Sequence, residues 1–406
     1  MQKRNEKSLE PLPCFSLDFR NRHGYSRRKA LRRITMETLK FNLSQSGNKF
    51  KILNATNGGP WHKRHANDQY RSNFADYKAA RIPYSRNHDS AVHGIYGGPY
   101  SHDITRIFPN FDADPLDPAS YDFACTDEVI LVCLDAGTET FFRLGQTIEH
   151  QIKKHGTIPP KDFQKWAVIC EHIIRHYNGG WADGHHLNIQ YWEIWNEPDL
   201  DLDDSPNKRC WGGTKAQFFD LYEIAAKHLK GCFPHLKIGG PALAHREDWA
   251  EDFLYEMQKR NVPIDFFSWH IDCTDFVMAC ICEAQRTDAL DMLMYYDTRP
   301  SAFCGAFDFY TYDKLKGYYP LYWYGMFYDM VKEVQSDNRI DDIYSLCGVS
   351  PDGKVLSVIT HYSDDDTAES KTLSIDFGKC GSYEVYLLDA EHDGELVQAT
   401  DKLIFI

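Results

Sequence analysis

The sequence predicts an α/β fold: a (β/α)8-type TIM barrel that lacks about one βα unit, the seventh strand, followed by a small C-terminal antiparallel β domain. Strand-like and helix-like segments alternate from about residue 50, as in βα units around a parallel sheet. Residues 271–288, a stretch of 18, separate the sixth strand-like segment from the next. That length accommodates one crossover helix but not a helix, a strand and a second helix. From about residue 341, short alternating segments separated by Asp-Gly and Lys-Cys-Gly turns indicate antiparallel strands.

The elements of the predicted barrel follow from hydrophobic periodicity. We expect strands at 50–55, 80–87, 139–144, 191 to about 197, 236–239, 264–270 and 289–296. Helices are predicted at 126–136, 162–177, 214–230, 249–260 and 320–334, with one more within 271–288. The clearest helix has apolar residues at three- and four-residue intervals: Phe163, Trp166, Ala167, Cys170, Ile173 and Ile174. The Asp-, Pro- and Tyr-rich stretch 96–121 is predicted to be a loop that walls a cleft.

The chain is predicted to divide into four parts: an extension at 1–35, an N-terminal strand within 36–48, the catalytic-type barrel at 49–336, and a β-sandwich-like domain at 337–406. The extension has ten Lys/Arg against three Asp/Glu, a net charge of +7, and no hydrophobic periodicity, so we expect it to be disordered. Met36 directly precedes a strand pattern at 38–44, which is predicted to complete the C-terminal sheet. We hypothesise that translation or folded structure begins near Met36; a basic nucleic-acid-binding arm is the alternative.

Composition narrows the function. The net charge of −14 argues against nucleic-acid or membrane partners, which call for a clustered basic surface. No apolar run reaches the roughly 18 residues of a membrane helix, and no signal-peptide pattern opens the chain, so we expect a cytoplasmic protein. Twelve cysteines lack CxxC pairs and regular spacing, so neither a metal site nor a disulfide framework is indicated, and no cofactor is expected.

One motif points to chemistry: Tyr191-Trp192-Glu193-Ile194-Trp195-Asn196-Glu197-Pro198. Its alternation predicts a strand, and because Pro198 cannot donate to a sheet, the strand should end near Glu197. Glu197 then lies at the carboxyl end of the fourth strand, where α/β barrels hold their catalytic groups. The alternative is that Asn-Glu-Pro is only a turn closing a buried strand. Glu193 is interpreted as structural.

Hydrolysis of a glycosidic bond needs two carboxyl groups, one that donates a proton and one that attacks the sugar or activates water. Glu197 is the candidate proton donor, because neighbours such as Trp195 are expected to desolvate it and favour the neutral acid. Asn196 is a candidate donor to a sugar hydroxyl. Taken singly, each of the other polar residues at predicted strand ends is better explained by packing or a salt bridge than by ligand binding, but together they indicate a catalytic face. These residues are Arg86, His88, Asp89, His270, Tyr296, Asp297 and Arg299.

The chain resembles glycoside hydrolase family 39, the retaining barrels that include β-xylosidases and α-L-iduronidase. The resemblance runs from about Met36 to the end and rests on three motifs together with Arg86 and His88. The motifs are Trp195-Asn196-Glu197-Pro198, Gly239-Gly240-Pro241-Ala242, and Val262-Pro263-Ile264-Asp265-Phe266-Phe267-Ser268-Trp269-His270. It implies that Glu197 is the acid/base and that Arg86 and His88 lie near the sugar. With the strand-end residues Asn196, His270 and Tyr296, these two are the predicted substrate-binding residues.

The sequence departs from the family pattern at the nucleophile. In the family a second Glu ends the seventh strand, within a Glu-Trp-containing segment that this chain lacks, and Asp272 stands where the family tends to have Tyr. The match resumes at Cys282-Glu283-Ala284-Gln285, as an internal deletion would leave it. Asp272 and Asp275 are candidate replacements, whereas Glu283 is expected on a helix outside the barrel. The nucleophile is therefore unidentified.

The predicted function is a glycoside hydrolase acting on O-glycosidic bonds, β-xylosidase-like with a retaining mechanism, impaired by loss of the nucleophile. An oligosaccharide or glycoside is the expected substrate. The alternatives are a catalytically inactive carbohydrate-binding pseudoenzyme and a truncated product of a damaged reading frame. Neither the sugar nor the oligomeric state follows from the sequence.

Overall fold

A computed structural model describes residues 17–18, 37–45, 47–60, 62–64, 70–88, 100–270, 277–298, 305–308, 310–365, 367–379 and 381–400. The chain divides into two compact units, each assembled from separate segments. The larger unit comprises Asn54–Thr274 and Met294–Tyr318. The smaller comprises Met1–Leu53, Asp275–Leu293 and Tyr319–Ile406.

A seven-stranded sheet is the centre of the fold. We label its strands in chain order: β1 (Ile52–Asn57), β2 (Tyr84–Arg86), β3 (Glu139–Leu144), β4 (Tyr191–Ile194), β5 (Lys237–Leu243), β6 (Phe267–Trp269) and β7 (Met292–Tyr296). Their order in space is β6-β5-β4-β3-β2-β1-β7, and the pairs from β1 to β6 are parallel. The carboxyl ends of β1 to β6 therefore meet at one edge of the sheet.

Helices follow the strands of the larger unit. They are α1 (Phe74–Ala80), α2 (Ile104–Ile107), α3 (Ala124–Asp135), α4 (Phe163–Gly179), α5 (Lys215–Cys232) and α6 (Glu247–Lys259). Side chains set the starts of the two longest. The Asp162 carboxylate accepts from the Lys165 amide before α4, and Thr214 with Gln217 forms a reciprocal capping box before α5. Gly180, in the left-handed region at φ 71°, ends α4.

The two faces of the sheet differ in chemistry. Phe142 of β3 stacks on Trp192 of β4 and contacts Tyr177 of α4, so this face of the strands is covered by helices. Since side chains alternate along a strand, Arg143 and Glu193 lie on the opposite, inner face, and both are almost fully buried. The inner face therefore holds buried charges that require partners.

In its described residues, the smaller unit contains two helices and short β elements. Its helices are α7 (Val277–Arg286) and α8 (Tyr318–Met326), and a 3-10 turn at Phe327–Asp329 follows α8. Ile343–Val349 pairs antiparallel with both Val355–His361 and Lys332–Glu333. Thr372–Asp376 pairs parallel with Glu37–Lys40 and antiparallel with Leu17–Asp18, and Tyr383–Leu388 forms a hairpin with Asp393–Thr400.

Several predicted boundaries are wrong, and neighbouring contacts explain them. The second strand was expected at 80–87, but Ala80 ends α1 and only Tyr84–Arg86 pairs. The fifth was expected to stop before Gly240 and instead continues to Leu243, because β6 pairs with it at Gly240, Pro241 and Leu243. The helix expected at 320–334 ends at Met326. The hairpin of His62–Arg64 with Tyr70–Ser72 was not predicted.

Glycine is required at position 239 of β5. A Cβ atom on Gly239 of β5 would overlap the Phe266 carbonyl oxygen, whereas one on Gly231 of α5 would meet no atom within 4 Å. We expect Gly239→Ala to lower the free energy of unfolding by about 1–3 kcal/mol. The control Gly231→Ala should leave it unchanged or raise it by up to about 1 kcal/mol, since alanine favours helix. Urea denaturation of both variants measures the difference, and equal effects would contradict the packing described for β5.

Candidate active site

A buried arginine links the carboxyl ends of the inner strands. Arg86, the last residue of β2, donates from Nε to Glu193 Oε2 at 2.6 Å, from Nη1 to Asn57 Oδ1 at 2.9 Å and from Nη2 to Asn196 Oδ1 at 2.7 Å. Glu193 Oε1 in turn accepts from the Ser268 hydroxyl at 2.8 Å. The Arg86 and Glu193 side chains are 5% and 2% exposed. The ion pair is therefore buried, and its remaining polar atoms are hydrogen-bonded, as such a pair requires.

The Glu197 turn is fixed by backbone hydrogen bonds to the neighbouring strands. The Trp195 amide donates to the Leu144 carbonyl at 2.6 Å, and the Glu197 amide donates to the Ala242 carbonyl at 2.8 Å. Trp195 and Glu197 both have positive φ, 75° and 48°, a region that non-glycine residues seldom adopt. Such conformations persist where the surroundings determine them, and they cluster at functional sites. The turn directs Glu197 towards the carboxyl end of β6.

His270 is the nearest hydrogen-bond partner of the Glu197 carboxyl group. His270 Nδ1 lies 2.7 Å from Glu197 Oε1, and the Cys210 thiol lies 3.8 Å from Oε2. The carboxylate side chain is 23% exposed and the imidazole 33% exposed, so both reach an opening. This pairing joins residues 73 positions apart in the chain. It brings the predicted acid together with one of the predicted substrate-binding residues.

The expectation that Glu197 is kept neutral by desolvation is wrong. Burial acts to raise its pKa, but the hydrogen bond from His270, together with the charges of His270 and Arg86, outweighs burial. The pKa of Glu197 is consequently lowered from its ordinary value of 4.5. At neutral pH the free site therefore holds a carboxylate rather than a protonated acid.

Asn196 has an unmet hydrogen-bond donor. Its side chain is fully buried, and its Oδ1 accepts from Arg86. Its Nδ2 has no hydrogen-bond partner among the described residues. Because a buried donor without a partner costs about 1–3 kcal/mol, an acceptor such as a hydroxyl would gain by pairing with it.

The other predicted site residues lie at strand ends without bonding to Glu197. His88 follows β2 and is buried, with its amide donating to the Arg86 carbonyl. Tyr296 ends β7 with 40% of its surface exposed. Among described side chains, the hydrogen bonds of Glu197 reach His270 and Cys210 but neither His88 nor Tyr296. Asp89, Asp272, Asp275 and Arg299 lie outside the described residues.

Two further acids follow strands of the larger unit, and both are fully buried. Asp199 accepts from the amides of Ala244, His245 and Arg246, so its carboxylate is occupied in holding the start of α6. The charge of Asp297, after β7, acts on the buried Tyr77 hydroxyl. Glu283, on α7 of the smaller unit, pairs with Arg286.

The sequence interpretation missed three contributors to this site: Asn57, Cys210 and the hydroxyl of Ser268. Asn57 ends β1 and could have been found by the rule that marked Arg86, a polar residue at the end of a strand. Ser268 stood within a quoted motif, but its bond to Glu193 was not foreseen. Cys210 comes from a loop and has no sequence signal.

The matched family is the one described as glycosyl hydrolases family 39, and the match covers residues 100–298. Over this segment, 199 of its 406 residues, the chain is similar to that family. The segment contains Glu197, Asn196 and His270. No helix in the described part of the chain is long and apolar enough to cross a membrane.

Two curated relatives are β-xylosidases. That of Geobacillus stearothermophilus is 30% identical over 162 residues, which cover 37% of this chain and 30% of the relative. That of Caldicellulosiruptor saccharolyticus is 29% identical over 170 residues, which cover 39% of this chain and 33% of the relative. The similarity thus spans about a third of each relative's length.

Solved structures share the fold over a longer stretch. A glucosidase from Croceicoccus marinus has a TM-score of 0.68 at 20% identity, over 90% of this chain and 94% of its own. A family 39 enzyme from Xanthomonas axonopodis pv. citri has a TM-score of 0.60 at 16% identity, over 87% and 84%. At these identities the likeness establishes an α/β fold with a curled parallel sheet.

The lowered pKa of Glu197 predicts a pH dependence. A group whose pKa is lower in the folded than in the unfolded state contributes stability above its unfolded pKa, and loses it as pH falls through the folded value. Removing the donor in His270→Ala should raise the pKa of Glu197 and reduce the stability lost below about pH 4.5. Carboxyl NMR titration of 13C-labelled glutamate measures the pKa directly. The control His235→Ala, at an exposed position, should leave it unchanged, and an unshifted pKa in His270→Ala would contradict the assigned pairing.

Proposed function

We propose that the chain recognises β-xylosides, with Glu197 as acid/base, and that it hydrolyses them slowly because the retaining nucleophile is absent. The observation that carries this proposal is the pair of Glu197 and His270, with the unpaired Asn196 Nδ2 next to it in the chain. A carboxyl group that reaches an opening can donate a proton to the leaving-group oxygen of a glycoside, and an amide N–H can donate a hydrogen bond to a neighbouring sugar hydroxyl. The two β-xylosidase relatives support the sugar class.

The absent nucleophile is supported by two features. In the described sheet, β6 and β7 are its two end strands, and only 277–286 between them is helical among the described residues. We propose that the family's seventh strand is missing at this position. In addition, among the described residues the groups that chiefly set the pKa of Glu197 are His270, Arg86 and Cys210, none of them a carboxylate. A nucleophile about 5–5.5 Å away would raise that pKa.

In the proposed mechanism the acid/base group is present and the nucleophile is not. As substrate enters and displaces water, Glu197 must acquire a proton before it can donate one to the leaving oxygen. A bound sugar that breaks the contact with His270 would raise the pKa of Glu197 and so favour the protonated acid. Attack on the anomeric carbon would fall to water or another small nucleophile. Turnover is therefore slow, because water replaces the missing carboxylate nucleophile.

A second function, carbohydrate binding without turnover, is favoured by one observation. The lowered pKa leaves Glu197 ionised at neutral pH, so the free site lacks the proton that leaving-group departure requires. The Asn196 donor and the network around Arg86 would still hold a sugar. Turnover and binding therefore need separate measurements.

Rescue of activity by a small anion tests whether the nucleophile is absent. Azide or formate should accelerate aryl β-xyloside cleavage by the unmodified chain, because a small anion can enter the space left by a carboxylate and attack the sugar. With azide, the product should be a xylosyl azide of inverted anomeric configuration. For substrates with poor leaving groups, Glu197→Gln should lower the rescued rate by about 10²–10⁴. For nitrophenyl xyloside, which needs little acid assistance, the loss should be small.

Binding is measured in parallel. Xylose should raise the melting temperature of the unmodified chain and of Glu197→Gln, and the shift should shrink in Asn196→Ala. A shift without turnover or rescue would favour the binding function. Rapid turnover without azide would contradict the missing nucleophile. Absence of cooperative melting would indicate a damaged chain without function.

A further inference from the structure

Three potential metal ligands converge in the helical layer, outside the network around Glu197. Asp127 lies on α3, His176 on the last turn of α4, and His185 on the loop that follows α4. Asp127 Oδ1 lies 3.0 Å from His176 Nε2 and 3.5 Å from His185 Nε2. All three atoms lie within 4.8 Å of one another.

These separations suit a tetrahedral cation. Zinc binds histidine nitrogen and carboxylate oxygen at about 2.0–2.1 Å, so neighbouring ligand atoms around it are about 3.3 Å apart. The observed 3.0 and 3.5 Å lie on either side of that value. Two imidazoles and one carboxylate are also a common donor set for zinc and similar divalent transition metals.

The His176 ring is held in the orientation that ligation requires. Its Nδ1 lies 2.9 Å from the Trp181 carbonyl oxygen, which can only accept, so Nδ1 carries the proton. With Nδ1 donating to that carbonyl, Nε2 is the nitrogen that would face a bound cation, as in metal-bound histidines whose second nitrogen donates to a carbonyl. The ring also stacks on Phe123, with centroids 3.6 Å apart, and it is buried.

His185 is fixed by its backbone and has an unmet ring nitrogen. Its amide donates to the His176 carbonyl at 2.6 Å, and its carbonyl accepts from the Gly180 amide at 2.8 Å, so the loop folds back on the end of α4. His185 Nε2 is buried and has no hydrogen-bond partner among the described residues. Such an atom calls for a partner, and a cation at this point would supply it.

We propose that Asp127 Oδ1, His176 Nε2 and His185 Nε2 bind a divalent transition metal of the zinc class. The Asp127 and His185 side chains are each 26% exposed, which leaves a fourth position for water. The metal fastens α3 to the end of α4 and to the loop after it. The site is independent of the proposed glycosidase function, since it shares none of the residues around Glu197. The competing interpretation is a hydrogen-bonded Asp–His pair that binds no metal.

Metal titration of the full chain tests the proposal. Chelator-treated protein is titrated with Zn²⁺ in competition with a chromophoric indicator, and with Co²⁺ monitored by its visible absorption. The unmodified chain should bind one equivalent tightly and melt at a higher temperature with Zn²⁺ than without. His185→Asn and Asp127→Asn should weaken binding by more than the 10–100-fold that follows loss of an outer-shell group alone. Both should also lose the Zn²⁺-dependent melting shift.

Two matched controls localise the ion. His186→Asn changes the histidine next to the site and should bind as the unmodified chain does. Cys232→Ser disrupts a second cluster, in which Glu171 Oε2 lies 2.7 Å and Cys232 Sγ 3.9 Å from His228 Nε2, and it too should retain binding. Melting without metal verifies that each variant folds. The proposal is overturned if the unmodified chain binds neither ion, if His185→Asn binds as tightly, or if only Cys232→Ser loses binding.

Discussion

The buried ion pair between Arg86 and Glu193 is the constraint on which the site depends. Breaking such a pair by removing one partner leaves an uncompensated charge and costs about 3–5 kcal/mol, so the strands that carry the two residues must keep their register. The pair extends to Asn57, Asn196 and Ser268, and thereby connects the carboxyl ends of β1, β2, β4 and β6. The carboxyl ends of these parallel strands are therefore buried, hydrogen-bonded to one another and held in register next to the Glu197 turn.

The position of Glu197 is set by backbone hydrogen bonds to neighbouring strands, whereas its ionisation is set by a side chain. Its turn is held by the carbonyls of Leu144 and Ala242, on the strands at either side. Its ionisation depends on His270, which follows β6, an end strand of the sheet. The acid is therefore rigidly placed, while its protonation depends on a contact that a ligand can displace. This combination fits a site that retains recognition more fully than turnover.

The local sequence pattern correctly predicted those strands and helices whose bounds depend only on their own residues. Glu139–Leu144 was predicted with its observed bounds, and α4 within two residues, because Gly145 marks the end of the strand and apolar spacing marks the helix. The ends of strands were mispredicted where pairing with a strand distant in sequence decides them. For example, β6 pairs with β5 as far as Leu243. The pKa of Glu197 was mispredicted for the same reason, since desolvation is a property of near neighbours but His270 is remote in sequence. The Asp127 cluster gave no sequence signal, because its ligands come from two helices and a loop.

The central claim is that an acid/base carboxyl remains without a nucleophile. It is tested most directly by treating the chain with a 2-fluoro xylosyl fluoride, whose good leaving group allows a nucleophile to be glycosylated while the fluorine at C2 slows hydrolysis of the ester. Intact-protein mass spectrometry then measures covalent attachment, with a complete family 39 β-xylosidase treated alongside. The account predicts labelling of the complete enzyme and no adduct on this chain. A single xylosyl adduct, mapped to an Asp or Glu of this chain, would contradict it.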